Sequence, residues 1–433
     1  MKIADHTRRI VKSVFAHCYS QVITVVTQLA GVPIFLHNWT LGKYGEWLVI
    51  SACAVYFSMA DFGLLPAVGN RLVSDVRSGR IEAANIMLQS AISLIVRIIV
   101  GGCLLAAILL ALINVGIAGT IDGKLAIFFL VVASCGTVFC GLYDSVFRAH
   151  GDYALVTGLL TTIRLLEWGG AILGVIFGGQ LHHAALGFML GRLGGALFIF
   201  IYAIRRYPQM RWRFRRDYKT ELASIGRSAV GFLAFPIATA INLQGMTILV
   251  GAILGPANAA IFSSYRTLSR VVAQLPTLVG KSIWPELTRA YAERSSERIS
   301  SIYRYGGIST ILVGVVISLV IFLCGPWIVT SWTHGHVPVL QLVLGALLIS
   351  SCAAAGTQVP MALLGATDNH VAFSKVYVLA TVVELSFCVI LMKLFGLYGA
   401  ALALAISDLA IAVFSVASGE KVIQTLRKDV HLA

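Results

Sequence analysis

Ten ionisable side chains stand inside long apolar runs of this 433-residue sequence: Arg97, Arg164, Arg192, Arg266 and Arg270, and Asp61, Asp144, Glu167, Glu384 and Asp408. Arg266 and Arg270 are four residues apart, and Gln274 follows four further on. That spacing sets three side chains along one helical stripe. A guanidinium is planar and grips two phosphate oxygens at once, so the stripe predicts a cationic wall for a phosphate-bearing substrate. The alternative is an internal ion pair with a facing acid such as Asp61 or Asp408. Arg164 and Glu167 are three apart and either neutralise each other or leave Arg164 free to join that wall. Arg97 stands alone in an otherwise apolar run, so it faces inward or snorkels. Arg192 lies within Gly187-x-x-x-Gly191-x-x-x-Gly195, a run that lets helices approach closely, and both pairing and substrate contact are open to it.

Burial raises a carboxyl pKa toward neutrality. Glu384, Asp408, Asp61 and Glu167 are therefore the candidates for carrying a coupling ion, with structural ion pairs as the duller reading. For Asp61, in Met59-Ala60-Asp61-Phe62-Gly63, that duller reading is a helix-terminal contact. Other chemistries find no support. The sequence has no phosphate-binding Walker loop, dinucleotide fingerprint or nucleophile elbow, so no catalytic residue, cofactor or ATP hydrolysis is expected. All eight cysteines fall in apolar runs without a C-x-x-C and read as small hydrophobes. His182–His183 and His334-Gly335-His336 have no carboxylate or cysteine nearby in sequence to complete a metal site.

The elements that must hold these residues follow from composition. The chain is 58% hydrophobic and only 12% charged, against about 25% charged in a soluble domain. A bilayer accepts such a chain and water does not. Runs of about 20 apolar residues give twelve expected spans, approximately 14–36, 47–68, 86–113, 125–147, 154–178, 183–204, 228–253, 257–280, 305–329, 337–363, 372–394 and 397–418. A buried charge costs roughly 2.5–3.5 kcal/mol at a span's centre, and Arg266 and Arg270 would lie about 14 and 20 Å into theirs at 1.5 Å per residue. With the N-terminus in the cytoplasm, 24 of the 33 Lys and Arg residues fall in inside segments and three in outside ones, so both termini are expected to be cytoplasmic.

The net charge of +14 thus reads as membrane orientation rather than nucleic-acid binding. The stretch Arg205 to Lys219, rich in arginine and aromatics, reads as a linker on anionic lipid headgroups. The expected division is 1–204 (six helices), a basic linker 205–224, and 225–433 (six more). Trp284 to Ser300 reads as a short cytoplasmic helix with Glu/Arg pairs.

A shift of 217 residues aligns Ala149 with Ala366, Asp152 with Asn369, Glu167 with Glu384, Gly179 with Gly396 and Ala184 with Ala401. A shift of 213 aligns Leu41-Gly42 with Leu254-Gly255. Six crossings separate the members of each pair, which fits parallel repeats, a transporter architecture with its site between the halves.

Several stretches resemble the polysaccharide-biosynthesis (O-antigen flippase) family of the multidrug/oligosaccharidyl-lipid/polysaccharide (MOP) superfamily. They are Gly42-Lys43-Tyr44-Gly45-Glu46-Trp47 with Ser58-Met59-Ala60-Asp61-Phe62-Gly63, Arg148-Ala149-His150-Gly151, Tyr265-Arg266-Thr267-Leu268-Ser269-Arg270 with Trp284-Pro285-Glu286-Leu287-Thr288, and Gly396-Leu397-Tyr398-Gly399-Ala400-Ala401. The resemblance implies an all-α membrane protein of two six-helix lobes around a central cavity, in a bacterial inner membrane. It implies translocation of an undecaprenyl-diphosphate-linked oligosaccharide, with membrane lipids and other glycan-assembly membrane proteins as partners. Arg266, Arg270, Arg164, Arg97, Arg192 and Gln274 would then line the substrate cavity. The drug-antiporter branch is less similar, because its first helix usually carries an acid and 14–36 has none. A cation-coupled antiporter and, further off, a glycan polymerase are the alternatives.

Overall fold

A computed structural model of the chain describes residues 2–59, 63–215, 217–223, 237, 239–293, 295–367 and 370–432; for residues 2–11, 13, 370–375 and 427–432 it describes the backbone alone. The helices are α1 (Lys2–Asn38), α2 (Leu41–Phe57), α3 (Leu64–Arg77), α4 (Ile81–Leu112), α5 (Ile121–Ala149), α6 (Tyr153–Gly178), α7 (Leu181–Arg206), α8 (Lys219–Ala223), α9 (Met246–Leu254), α10 (Pro256–Ser269), α11 (Val271–Ala292), α12 (Ser296–Trp332), α13 (Gln341–Gly356), α14 (Gln358–Ala366) and α15 (His370–Leu432). The chain is an all-α, multi-pass membrane protein with the twelve-helix topology the sequence predicts.

Among the described residues, eight stretches are long and apolar enough to cross a bilayer. One of them, 376–426, is two helices, because Gly396 at φ 58° breaks α15. Shorter or interrupted helices make up the rest of the described apolar segments: α2 with α3, the stretch Ile241–Leu254 that contains α9, and α10 with α11. Large apolar side chains such as Leu104, Ile108 and Leu112 on α4, and Leu312, Leu319 and Leu323 on α12, are exposed. Surfaces of this size and composition need lipid around them.

Three expected elements take another form. Span 47–68 divides after Phe57, and α3 starts beyond Gly63, whose φ of 72° suits only glycine readily. Asp61 lies outside the described residues. Span 257–280 breaks at Arg270. The Arg270 N–H bonds the Arg266 carbonyl, but the Ala273 N–H reaches back only three residues, to Arg270. Pro276 then has no N–H to offer the Val272 carbonyl, so the break sits where the ladder is already weak. The segment 284–300 is not one short helix. It is the end of α11 and the start of α12, and Arg298 spans the join to Glu286 and Glu293, both at 2.9 Å.

The chain divides into two compact units, Met1–Ala240 and Ile241–Ala433. In the first unit the basic linker lies against α4. The Asn85 side-chain amide donates to the Gln209 carbonyl (3.0 Å) while its oxygen accepts from the Arg211 N–H (2.7 Å), and the Ser93 hydroxyl accepts from the Arg215 N–H (2.7 Å). Asn85 and Ser93 are both buried. Two polar residues on one face of an apolar helix thus satisfy the backbone of an irregular segment. At the α5–α6 corner, Asp152 accepts from Arg206 Nη2 (2.7 Å) and the Tyr207 hydroxyl (2.6 Å). Burial pushes that carboxyl up, but the Tyr207 and Arg206 hydrogen bonds outweigh it and hold the pKa below the usual carboxylate range.

Helices α6 and α7 meet backbone to backbone. A Cβ on Gly187 would fall 2.0 Å from the Gly170 carbonyl oxygen, and one on Gly191 would fall 2.3 Å from that of Leu166. The glycine spacing read in the sequence is therefore a seam. The second unit repeats the device: a Cβ on Gly399 would fall 2.0 Å from the Leu391 carbonyl oxygen, across the bend in α15.

Candidate functional site

Residues Ile241–Gly245 form a π-helical turn ahead of α9. Such turns are rare and often mark functional positions. This one turns two adjacent groups toward two different charges. Asn242 Nδ2 donates to both oxygens of the Glu384 carboxyl, at 3.0 and 2.9 Å. The Leu243 carbonyl accepts from Arg266 Nη2 at 2.8 Å, and the Thr247 hydroxyl accepts from the same nitrogen at 2.7 Å.

Glu384 is 2% exposed. Its second partner is the Ser407 hydroxyl, which donates to Oε2 at 3.2 Å. Ser407 is close because the Gly399 seam clamps the two halves of α15 together. The carboxyl stands at the floor of an apolar groove of about 350 Å³ between those halves, walled by Val383, Phe387, Ile406 and Phe414. Asp408, the next residue, turns the other way and accepts from the Ser350 hydroxyl of α13.

Arg266 is half-buried with its guanidinium 5.4 Å from the Phe262 ring. Its Nη1 is buried and has no hydrogen-bond partner among the described residues. Arg270, at the break, is exposed. Among the described residues no ion pair joins either arginine to an acid, and Asp408 is engaged with Ser350 instead. Gln274 is half-buried on the far side of the break. The helical stripe of three is thus a helix end, a break and a new helix.

The first unit handles its charges differently. Glu167 pairs with Arg192, not with Arg164. The close approach of Gly191 to Leu166 sets their chain neighbours, Arg192 and Glu167, side by side. Glu167 is 3% exposed. Arg164 is exposed and gives Nη1 to the Thr24 hydroxyl of α1 at 2.5 Å. Arg97 is exposed and packs over the Tyr218 ring of the linker at 4.5 Å, with Nη1 on the Ser93 carbonyl (2.6 Å). It lies halfway along a 32-residue helix, yet the linker reaches it there. Arg164, Arg97 and Arg192 each have a partner within their own unit, and Arg266 keeps an unmet donor.

The sequence reading did not find Asn242, Thr247, Ser350 or Ser407. Each is an uncharged polar residue in an apolar run, a weak signal that only the fold turns into a pairing. It also missed Asp122, whose carboxyl accepts from the Leu181 and His182 backbone (3.2 and 2.8 Å) and contacts His182 Nδ1 at 2.7 Å. The described residues contain no group of three metal-ligating side chains.

Neither a protein-family model nor a curated protein sequence matches the chain. Solved structures do. An inward-facing multidrug resistance MATE family transporter of the MOP superfamily superposes with a TM-score of 0.67 at 16% identity, covering 93% of this chain and 99% of its own. The lipid II flippase MurJ, in an inward closed conformation, gives 0.70 at 13% identity, covering 96% and 90%. The chain shares the fold of these transporters. At such low identity the likeness fixes architecture and not cargo. The structure supplies the chemistry to choose with: an unmet guanidinium in the second unit, and a buried carboxyl held by an amide and a hydroxyl.

Proposed function

We propose that the protein is a flippase for an undecaprenyl-diphosphate-linked oligosaccharide, working by alternating access across a bacterial cytoplasmic membrane with both termini inside. The observation that carries this reading is Arg266 and Arg270: two guanidiniums four residues apart, without an acid partner among the described residues, the first with a buried N–H left unmet. A buried donor without an acceptor costs about 1–3 kcal/mol. A diphosphate oxygen would recover that energy, whereas an organic cation would be repelled. Glu384 is the preferred coupling group, and Asp408, Glu167 and Asp61 are the reserves. Asn242 and Ser407 hydrogen-bond its carboxyl, and proton or cation exchange there would let a gradient bias one state over the other. The expected partners are the lipid-linked substrate, surrounding lipids and the membrane proteins that build and extend the glycan. The reading gives the chain transport and no catalysis.

The deciding experiment replaces Arg266 and Arg270 together by alanine in cells whose surface glycan depends on this gene. Glycan export should be lost at normal protein level; export at the parental level in that double variant rejects the proposal. One observation favours a second reading, a cation-coupled exporter of small molecules. The apolar groove beside Glu384 would suit a hydrophobic cation. That reading requires strict dependence on Glu384 with indifference to the two arginines.

A further inference from the structure

A second chamber lies wholly within the first unit, a cavity of about 340 Å³ among α1, α2, α5, α6 and α7. That is the small end of the range for small-molecule sites, about 300–1,000 Å³. Its walls are aromatic: Phe35 stacks on Trp47 with ring centroids 5.9 Å apart, and Trp168 and Phe188 face the same space. Its polar groups, Thr137 apart, fall into two classes. Ser58 and Ser134 spend their hydroxyls on the carbonyls of Val55 (2.6 Å) and Ala54 (2.8 Å). Ser51 Oγ and Trp168 Nε1 are buried and have no partner among the described residues. Gly31 of α1 stands beside the indole N–H: a Cβ there would lie 3.4 Å from it. Arg192, closed by its ion pair with Glu167, completes the lining.

The contents of this list narrow the occupant. A lipid tail would leave Ser51 and Trp168 unmet. Arg192 on the wall would repel an organic cation, and its pairing with Glu167 leaves a diphosphate no free cation there. What remains is a neutral ring with apolar faces and a hydroxyl rim. We infer that this cavity is a subsite for one sugar unit of the cargo. Aromatic faces would pack on the C–H face of a pyranose, while Ser51, the Trp168 N–H and Arg192 would engage its hydroxyls. The inference rests on the flippase reading but not on the arginines of the second unit, and the two are separable.

The test uses the purified full-length protein in lipid nanodiscs. Methyl glycosides of hexoses, N-acetylhexosamines and 6-deoxyhexoses are titrated at millimolar concentrations and followed by saturation-transfer NMR on the glycoside. Farnesyl diphosphate binding is measured in parallel. At least one glycoside class should bind saturably. Trp168→Phe, which keeps a ring and removes the N–H, and Ser51→Ala should each weaken it about tenfold, the worth of one hydrogen bond in a dry site. Both variants should leave farnesyl diphosphate binding unchanged, and Arg266→Gln should do the reverse. If glycosides depend on Trp168 while farnesyl diphosphate ignores Arg266, the sugar subsite stands and the diphosphate assignment falls. Three results overturn the subsite: no glycoside binds the parent protein, binding survives in both variants at full strength, or tetraphenylphosphonium displaces the glycoside. Thermal unfolding of each variant separates loss of binding from loss of fold.

Discussion

Asn242 Nδ2 lies within hydrogen-bond distance of both oxygens of one carboxyl, that of Glu384, across 142 residues of sequence. The π-helical turn makes the pairing, because a regular α-turn would aim Asn242 elsewhere. Replacing Asn242 by Leu should leave Glu384 buried with Ser407 as its remaining partner, at a cost of about 1–3 kcal/mol. Transport in proteoliposomes should then lose its dependence on the imposed ion gradient before it loses its cargo. An unchanged gradient response in this variant would remove Glu384 from coupling.

The Glu167–Arg192 pair predicts an asymmetry. Arg192→Leu alone strands a buried acid and should lower stability by about 3–5 kcal/mol. The double change Glu167→Gln with Arg192→Leu should recover most of it. Melting temperatures in detergent check this, and equal losses in the single and double variants would mean the pair is not the source.

The glycines of α7 are not equivalent. Gly187→Ala and Gly191→Ala should abolish folded protein, since a methyl group at either would collide with a carbonyl oxygen of α6. Gly194→Ala is the internal control: its added carbon meets nothing within 4 Å, and Ala for Gly in a helix contributes about 1 kcal/mol of stability. Yields of folded protein from size-exclusion chromatography should separate the three.

Asp152 gives the fold a pH signature. Its native pKa lies below the ordinary carboxylate value, so the unfolded chain takes the proton more readily than the native one. The stabilisation is fully present above about pH 4, the ordinary value. It is lost as pH falls from there through the lower native pKa. Asp152→Asn should therefore be less stable than the parent at pH 7 and should converge with it in acid. Parallel melting curves between the two across that window would place the acid response elsewhere.

The sequence disclosed most of the frame, because lipid imposes long helices and leaves unmistakable apolar runs of about 20 residues. It drew attention to the charged residues too, since an arginine inside an apolar run is conspicuous. It was weaker on partners. Arg164 and Glu167 share a helix and a favourable spacing, yet Arg192 takes the glutamate because the Gly191–Leu166 contact is tighter than anything helical spacing offers. Arg97 looked stranded at mid-span because nothing in the sequence says that the linker climbs α4 as far as Ser93. Asn242 and Ser407 carry no charge and so gave no alarm. One faint correspondence has a structural counterpart: Glu167 and Glu384 each sit twelve residues before a glycine, Gly179 and Gly396, and both glycines take positive φ, 67° and 58°.

Backbone contact at Gly170–Gly187 and at Gly399–Leu391 turns two helical hairpins into welded beams. A beam has no internal give, so a rearrangement cannot slide one of its arms past the other. Each carries an acid along its length, and that acid must travel with both arms or stay put. Whatever flexing the protein performs is thereby exported to its unwelded joints, such as the break at Arg270, where the proposed binding group and the interruption of the helix fall on the same residue.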